Sequence, residues 1–350
     1  DALDLGAVSA TFYDDRLGGP LTGAATLSGT LAYTSAVGTV GAPFRLIGQG
    51  GTLNVTNTGL ESKAIQVEGP GTFNFMGDRS FTAADAGTIA LTDGGYRQHL
   101  GFFLADASPA TPATLGFSSG RFSVGNALDI GVGGFGAFAA SGVTLACGRA
   151  RVGGAAGSIG VYTQTAGANT FNAESWIGFD SGTGTLNVAG GSLVVNGDLR
   201  VAGNPGDQSV RAFRPDGTIT VSNALLRCNT LNFTPWWPNT GVCSNNLAGT
   251  VNLQSGAQLE ITGITKNDDP ISTIRFSGGL LRARTGNANF FTMGQTYSTL
   301  RIIADAGAYA TFDTGSYTVG IQNPAARLFF TGAGGFRKLG TGILSLACDL

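Results

Sequence analysis

Residues 182–203 read GTGTLNVAGGSLVVNGDLRVAG, which is three short apolar runs separated by glycine. In each run, apolar side chains alternate with their neighbours, as Leu186 and Val188 do. A period of two is the pattern of β-strands, and glycine tolerates the sharp bends between them. The stretch therefore predicts three strands and glycine corners, with six side chains pointing inward: Leu186, Val188, Leu193, Val195, Leu199 and Val201.

The same pattern recurs along the chain at similar intervals. Alignment of the recurrences gives an apolar column: Ile130, Val152, Ile177, Val201 and Phe233. A second column contains GTLNV at 184–188, GTITV at 217–221 and GTVNL at 249–253, and similar units occur at 51–55, 71–75 and 87–91. Insertions at 204–216 and 234–246 account for the longer intervals. A repeat of this length with several short strands is typical of a β-solenoid.

A solenoid coil cannot bury its inner face alone, so stacking supplies the stability. Coils about 4.8 Å apart pair their backbones, and each buried apolar side chain contributes roughly 1.5–3 kcal/mol. About 13 coils would form a rod of roughly 60 Å. An array of β-sandwiches would instead need hairpin turns at short intervals, and the aligned columns favour the solenoid. We predict coils of about 20–32 residues over 46–350, preceded at 1–45 by an N-terminal cap or irregular β segment.

Composition excludes several classes of protein. Glycine makes up 57 of 350 residues without a collagen period, and apolar residues at 42% suffice for a core. A net charge of −2 argues against a nucleic-acid surface. The sequence has no apolar run long enough for a transmembrane helix. Only 12% of residues are charged, which favours an extracellular β protein.

The stretch 332–350, GAGGFRKLGTGILSLACDL, resembles the autotransporter-associated β-strand repeat, Gly-x-Gly-Gly-Leu-x-Lys-x-Gly-x-Gly-Thr-Leu-x-Leu. The matching positions are Gly332, Gly334, Gly335, Lys338, Gly340, Gly342 and Leu344. Phe336 replaces the first Leu of the pattern, and Ile343 stands where Thr is usual. The central repeats, including GVYTQTAG at 160–167, resemble related repeats of bacterial surface-anchored proteins.

These resemblances cover about residues 120–350. They imply an all-β, right-handed parallel β-helix of the autotransporter-passenger type, extracellular and displayed on the bacterial cell surface. They also imply that the solenoid continues beyond residue 350, as part of a longer polypeptide.

Candidate catalytic residues are scarce. His99 is the only histidine, and its context, GGYRQHLGFF, offers no neighbouring nucleophile. The four cysteines lack the C-x-x-C spacing of zinc sites. Asp268 and Asp269, in TKNDDPIS, are a weak Ca²⁺ candidate, and a proline-terminated turn rich in Asn and Asp is the simpler interpretation. We predict no catalytic residue, no cofactor and no metal site other than this weak candidate.

Charged residues near the apolar column do not form a catalytic row. Arg151, Trp176 and Arg200 fall in one outward column, whereas the nearby carboxylates do not align: Asp129, Glu174 and Asp198. A solvated face is the simpler interpretation, and a catalytic groove is the alternative.

Cys228 and Cys243 bracket the second insertion. A disulfide between them would close a 16-residue loop, worth about 3 kcal/mol in the chain-entropy model, and would fit an oxidising location. The alternative is a pair of buried thiols. Cys147 lies three coils from Cys228, too far for a bridge, and is predicted to be a buried thiol.

The most unusual local feature is Trp236–Trp237, which stands between Pro235 and Pro238 in the same insertion. Exposed aromatic rings on a stiff loop would stack on sugars or dock a partner. The alternative is that they fold back against the flank of the solenoid.

These observations favour a non-enzymatic, structural or adhesive surface protein that associates with itself into fibres or a layer and contacts a glycan or cell-surface partner. The alternative is a β-helix protein that binds or degrades polysaccharide, as a lyase or glycosidase. A phage-type fibre is a further alternative and would require a trimer.

Overall fold

The structure is a computed structural model. It describes the strands between Leu3 and Phe117 and then residues 121–131, 135–154, 157–179, 182–203, 216–233, 249–266, 271–293, 299–322 and 327–347. Side chains are described from residue 127 onward in these ranges, except at a few strand ends. The described residues are strands, turns and bends, and none of them forms a helix that is long and apolar enough to cross a membrane.

The strands up to residue 152 are β1 (Leu3–Asp4), β2 (Ala10–Phe12), β3 (Ala24–Leu27), β4 (Leu31–Tyr33), β5 (Phe44–Ile47), β6 (Thr52–Thr56), β7 (Ile65–Glu68), β8 (Gly71–Met76), β9 (Arg79–Phe81), β10 (Ile89–Ala90), β11 (Gly101–Leu104), β12 (Ala113–Phe117), β13 (Arg121–Ile130), β14 (Phe135–Ser141) and β15 (Thr144–Val152).

The later strands are β16 (Ile159–Ala166), β17 (Ala168–Phe171), β18 (Ser175–Phe179), β19 (Thr183–Val188), β20 (Gly191–Val195), β21 (Leu199–Gly203), β22 (Asp216–Val221), β23 (Ala224–Arg227), β24 (Thr230–Asn232), β25 (Gly249–Gln254), β26 (Gln258–Ile261), β27 (Gly263–Lys266), β28 (Ile271–Ser277), β29 (Leu280–Ala283), β30 (Phe291–Met293), β31 (Thr299–Ala304), β32 (Tyr309–Asp313), β33 (Thr318–Gln322), β34 (Arg327–Gly332), β35 (Gly335–Leu339) and β36 (Ile343–Ala347).

The chain is a parallel β-helix, as the repeat predicts. Thirteen strands form one sheet in the order β1-β3-β6-β8-β12-β14-β16-β19-β22-β25-β28-β31-β34, and the strands in each of its ladders are parallel. We call this sheet the first track. In the coil over 183–203, β19 belongs to it, and β20 and β21 belong to two further tracks, the second and the third. The predicted right-handed sense stays a prediction.

The apolar column has the predicted register. Ile130 pairs with Val152, Val152 with Ile177, and Ile177 with Val201. Phe233 follows directly after Asn232, whose partner is Arg200, and so takes the next place. All five members are at most 2% exposed, and the six inward residues predicted in 182–203 are at most 1% exposed. The inner face is therefore a continuous apolar core, as predicted.

The second predicted column is also confirmed, with one correction. Gly184 pairs with Gly217, which pairs with Gly249, and the units at 51–55 and 71–75 pair in the same sheet. GTIAL at 87–91 does not belong to this column. Its strand β10 pairs with β7 and β11 in the other large sheet.

Coil lengths mostly follow the prediction. Along the first track, Ile159 pairs with Thr183, and Gly217 pairs with Gly249, and both separations lie within the predicted range. The coil that separates Gly71 from its partner Ala113 is longer than predicted. That coil contains β10 and β11, which stack on each other within the large sheet before the chain returns to the first track.

The segment 1–45 also contains parallel strands. Strand β1 pairs with β3, which pairs with β6 of the first track, and β2 pairs with β4.

One corner requires a left-handed backbone in successive coils. Gly131, Gly153 and Gly178 each follow a member of the apolar column and have φ of 67°, 73° and 73°. A Cβ on Gly178 would clash with the backbone oxygen of Asp216. Ala202 occupies the same place in the next coil with φ of 57°, a conformation that costs a non-glycine residue roughly 1–2 kcal/mol.

Candidate functional site

The connections that carry the predicted sites leave the solenoid at one corner. From residue 180 onward, each gap in the described ranges joins a third-track strand to the next first-track strand, as 204–215 joins β21 to β22 and 234–248 joins β24 to β25. We call this edge the insertion corner. Arg200 pairs with Asn232, which pairs with Thr265, so three successive connections start from adjacent coils.

The sequence candidates on these connections lie outside the described residues. They are Trp236 and Trp237, Cys243, and the weak Ca²⁺ pair Asp268 and Asp269; His99, nearer the N-terminus, is also outside. The aromatic pair follows β24 and the aspartate pair follows β27, and these two strands are neighbours in the third track. The fold thus brings the starting points of two separately predicted sites to adjacent coils.

Arginine–carboxylate pairs cover the outer surface of the third track. Asp129 is fully buried and accepts hydrogen bonds from Nε and Nη2 of Arg151, at 2.6 Å for Nε. Arg151 also lies over the Phe179 ring, 5.7 Å from its centroid. Glu174 pairs with Arg200 in the same way. Each of these carboxylates is bonded to an arginine, which suits a structural role.

Trp176 lies between these two pairs. Arg151 is its register partner on one side and Arg200 on the other, as the outward column predicts. Its side chain is 8% exposed and packs edge-on against Phe179. The indole Nε1 has no hydrogen-bond partner among the described residues.

A second charged ladder runs up the second track. Arg227, Glu260, Arg282 and Asp313 are successive register partners. Arg227 Nη2 lies 2.6 Å from Glu260 Oε2, and Arg282 Nε lies 2.8 Å from Asp313 Oδ2. Burial opposes the charge on both acids, but the hydrogen bonds and charges of their neighbours outweigh it and lower both pKa values. Because positive and negative side chains alternate from coil to coil, each pair favours the observed register between neighbouring coils.

No family model, curated protein or solved structure matches the chain.

A polar cluster inside the core was missed by sequence reasoning. Asn169 Nδ2 donates to Tyr162 Oη at 2.8 Å and to Gln164 Oε1 at 2.9 Å, while its Oδ1 accepts from Leu145 N at 2.8 Å. Gln164 Nε2 donates to the backbone oxygens of Gly190 and Ser192. Burial raises the pKa of Tyr162 far above its usual value. The cluster ties three coils together, and the motif GVYTQTAG was its only signal.

Lys266 was also missed. It follows Phe233 in the apolar column, because Phe233 N donates to Thr265 O in the adjacent coil, and its side chain is 1% exposed. Extending the column by one more coil in the sequence would have found a lysine where an apolar residue is expected.

The two described cysteines are free thiols. Cys147 and Cys228 are both fully buried, which confirms the prediction for Cys147. Burial raises the pKa of both thiols well above the usual value. The predicted partner of Cys228, Cys243, lies outside the described residues, so the Cys228–Cys243 disulfide stays a prediction.

The described outer surface presents mainly arginine–carboxylate ion pairs and hydroxyl groups. Within the ranges given above, no three His, Cys, Asp or Glu side chains lie close enough together to hold a metal ion. The described carboxylates of the two outer ladders are held by arginines. This arrangement can stabilise the stack and present a repeating surface.

Proposed function

We propose that the protein is a non-enzymatic structural or adhesive rod of the bacterial cell surface, of the autotransporter-passenger type. The observation that carries the proposal is the first track, thirteen parallel strands in register, which from residue 127 onward lie over a described apolar core. Such a stack resists proteolysis because its backbone groups are engaged with neighbouring coils. The autotransporter assignment rests on the sequence motif at 332–346.

The motif has a structural explanation that supports this assignment. Lys338 Nζ donates to the backbone oxygens of Gly340, at 2.8 Å, and Gly342. A Cβ on Gly342 would clash with Tyr317 O of the coil below. Lys338, Gly340 and Gly342 of the motif therefore form one tight corner.

Self-association into fibres or a layer is also part of the proposal, as expected from the sequence for a stacked β-solenoid.

Protease treatment of intact cells tests the location. Cells that express the full-length natural protein are treated with protease, and the products are identified by mass spectrometry. We expect large solenoid fragments from intact cells, while a cytoplasmic control protein stays whole. Peptides that appear only after cell lysis would contradict the proposal.

Glycan binding at the insertion corner is the second candidate function. The adjacent starting points of the connections with Trp236–Trp237 and Asp268–Asp269 favour it. A glycan array with the 350-residue chain and the variant W236A/W237A tests it. Binding that is lost in the variant would support this function, and the absence of binding would remove it.

A further inference from the structure

The outer surface of the first track carries two columns of hydroxyl and amide side chains. Register pairing aligns one column as Thr185, Thr218, Thr250 and Thr273, and the other as Asn187, Thr220 and Asn252. All seven are half-buried. The residues between them along each strand, such as Leu186 and Ile219, are fully buried in the core. The seven side chains therefore point outward, and we call them the threonine face.

The backbone fixes the spacing of this face in two directions. Neighbouring strands are about 4.8 Å apart, and residues two apart along a strand are separated by about 6.7 Å. The coils supply the same residue types at the same register, so the groups form a two-dimensional lattice rather than a single row. Short side chains on a paired backbone hold this lattice with little freedom, because threonine is stiff at χ1. Asn252 Nδ2 also donates to Thr220 Oγ1 at 3.4 Å.

The threonine face is uncharged, unlike the other two tracks. The ladders of Arg151 and Arg227 with their carboxylates lie on the third and second tracks. Charged residues lie only at the borders of the threonine face: Arg275 and Arg301 follow Asn252 and Thr273 in the two columns, and Asp216 lies two residues before Thr218. Arg275 is paired with Asp305 at 2.8 Å. The two columns also lack aromatic residues from Thr185 to Thr273.

We infer that the threonine face binds the surface of ice. A ligand that matches a neutral, two-dimensional array must itself repeat in two dimensions and both donate and accept hydrogen bonds. Ice does so, and its oxygen atoms repeat along one axis at nearly the separation of neighbouring strands. Threonine offers a hydroxyl group to such a lattice and a methyl group to the gaps between its oxygens. A soluble glycan would match only one column, and the face lacks the aromatic rings on which sugars stack.

The pattern extends beyond the seven residues. By register, Thr52, Thr72 and Thr114 lie in the first column, and Asn54 and Asn74 in the second. Ala137 and Val161 separate this group from the threonine face in the first column. The register therefore repeats the same residue types in a second group of strands, and the threonine face itself spans four coils.

Ice recrystallisation and thermal hysteresis of the 350-residue chain test the inference. The variant T218K/T250K places two charges in the first column. The control T170K/S192K places two charges on the outer surface of the second track, in neighbouring coils. We expect the unchanged chain and the control to inhibit recrystallisation and T218K/T250K to lose that effect. Circular dichroism checks that each variant keeps its β structure.

A second variant, T218Y/T250Y, covers the case in which lysine disturbs folding, because tyrosine is favoured in strands but breaks the spacing. This variant should also fail to inhibit ice recrystallisation. The inference is overturned if the unchanged chain has no effect on ice, or if the control loses as much as T218K/T250K. Binding to crystalline cellulose without an effect on ice would also overturn it and would assign the face to a polysaccharide.

Discussion

Leu225 and Leu226 are neighbours in the chain and lie on opposite sides of the solenoid wall. Leu226 is fully buried, and its register partners in the coils below and above are Leu193 and Leu259, both also fully buried. Leu225 is half-buried on the outer surface. The alternation of a strand thus separates two identical side chains into core and surface.

Truncation of these two leucines should have unequal effects. We expect L226A to lower the free energy of unfolding by about 2–5 kcal/mol, because it leaves a cavity between two coils. L225A should cost about 1 kcal/mol or less, since it removes only partly buried surface. Urea unfolding followed by circular dichroism measures both, and equal losses would show that the assigned inward face is wrong.

Replacement of the Asp129 carboxylate, which is paired with Arg151, should lower the stability of the fold markedly. D129N leaves the guanidinium of Arg151, 11% exposed, without its carboxylate, and we expect a loss of about 3 kcal/mol. The control is D305N, which breaks the exposed pair with Arg275 and should cost much less. Thermal unfolding of both variants checks this, and similar losses would mean that burial does not set the strength of these pairs.

Acid should lower the stability of the fold, because it protonates the two carboxylates of the charged ladder on the second track. The pKa values of Glu260 and Asp313 are lowered in the folded chain, so both acids bind protons more readily when unfolded. Their contribution is complete above the unfolded values of 4.5 and 3.8 and is lost as the pH falls through the lower folded values. Urea midpoints measured from pH 7 to pH 3 test this.

The variant R282M removes the arginine that both acids share. It should reduce stability at pH 7 and flatten the dependence on pH below 5 relative to the unchanged chain. An identical acid dependence in the two proteins would contradict the assignment of the effect to this ladder.

The thiols of Cys147 and Cys228 should be unreactive in the folded chain. Both are fully buried, and burial raises their pKa, so thiolate is scarce at neutral pH. In C243S/C348S, a thiol reagent should label neither residue until denaturant is added. Rapid labelling of either residue in the folded variant would contradict the described burial of these thiols.

The core of the fold was predictable because the coils repeat. Ile130, Val152, Ile177, Val201 and Phe233 could be aligned by spacing alone, since strand alternation leaves few ways to place them. The long coil between Gly71 and Ala113 was not predictable, because β10 has the same GT-apolar pattern as first-track strands but stacks in the other large sheet. Sequence pattern identifies a strand and does not say which sheet it joins.

The contacts on the outer surface were harder to predict from the sequence than the core. The pairing of Asp129 with Arg151 depends on two residues far apart in the chain lying side by side, which becomes visible only when the register is known. Lys266 occupies a core position that composition would assign to an apolar residue. The threonines of the threonine face were present in the aligned motifs. Only the strand register shows that they lie directly over one another on one sheet.

Cross-linking of cysteines engineered on the threonine face tests the register most directly. Thr218 and Thr250 are partners in adjacent coils, about 4.8 Å apart, which is within the range for a disulfide. Thr218 and Thr273 are two coils apart and beyond that range. In the C243S/C348S background, T218C/T250C should oxidise to an intramolecular disulfide seen by peptide mass spectrometry, and T218C/T273C should not. A disulfide in the second variant and none in the first would contradict the parallel β-helix described above.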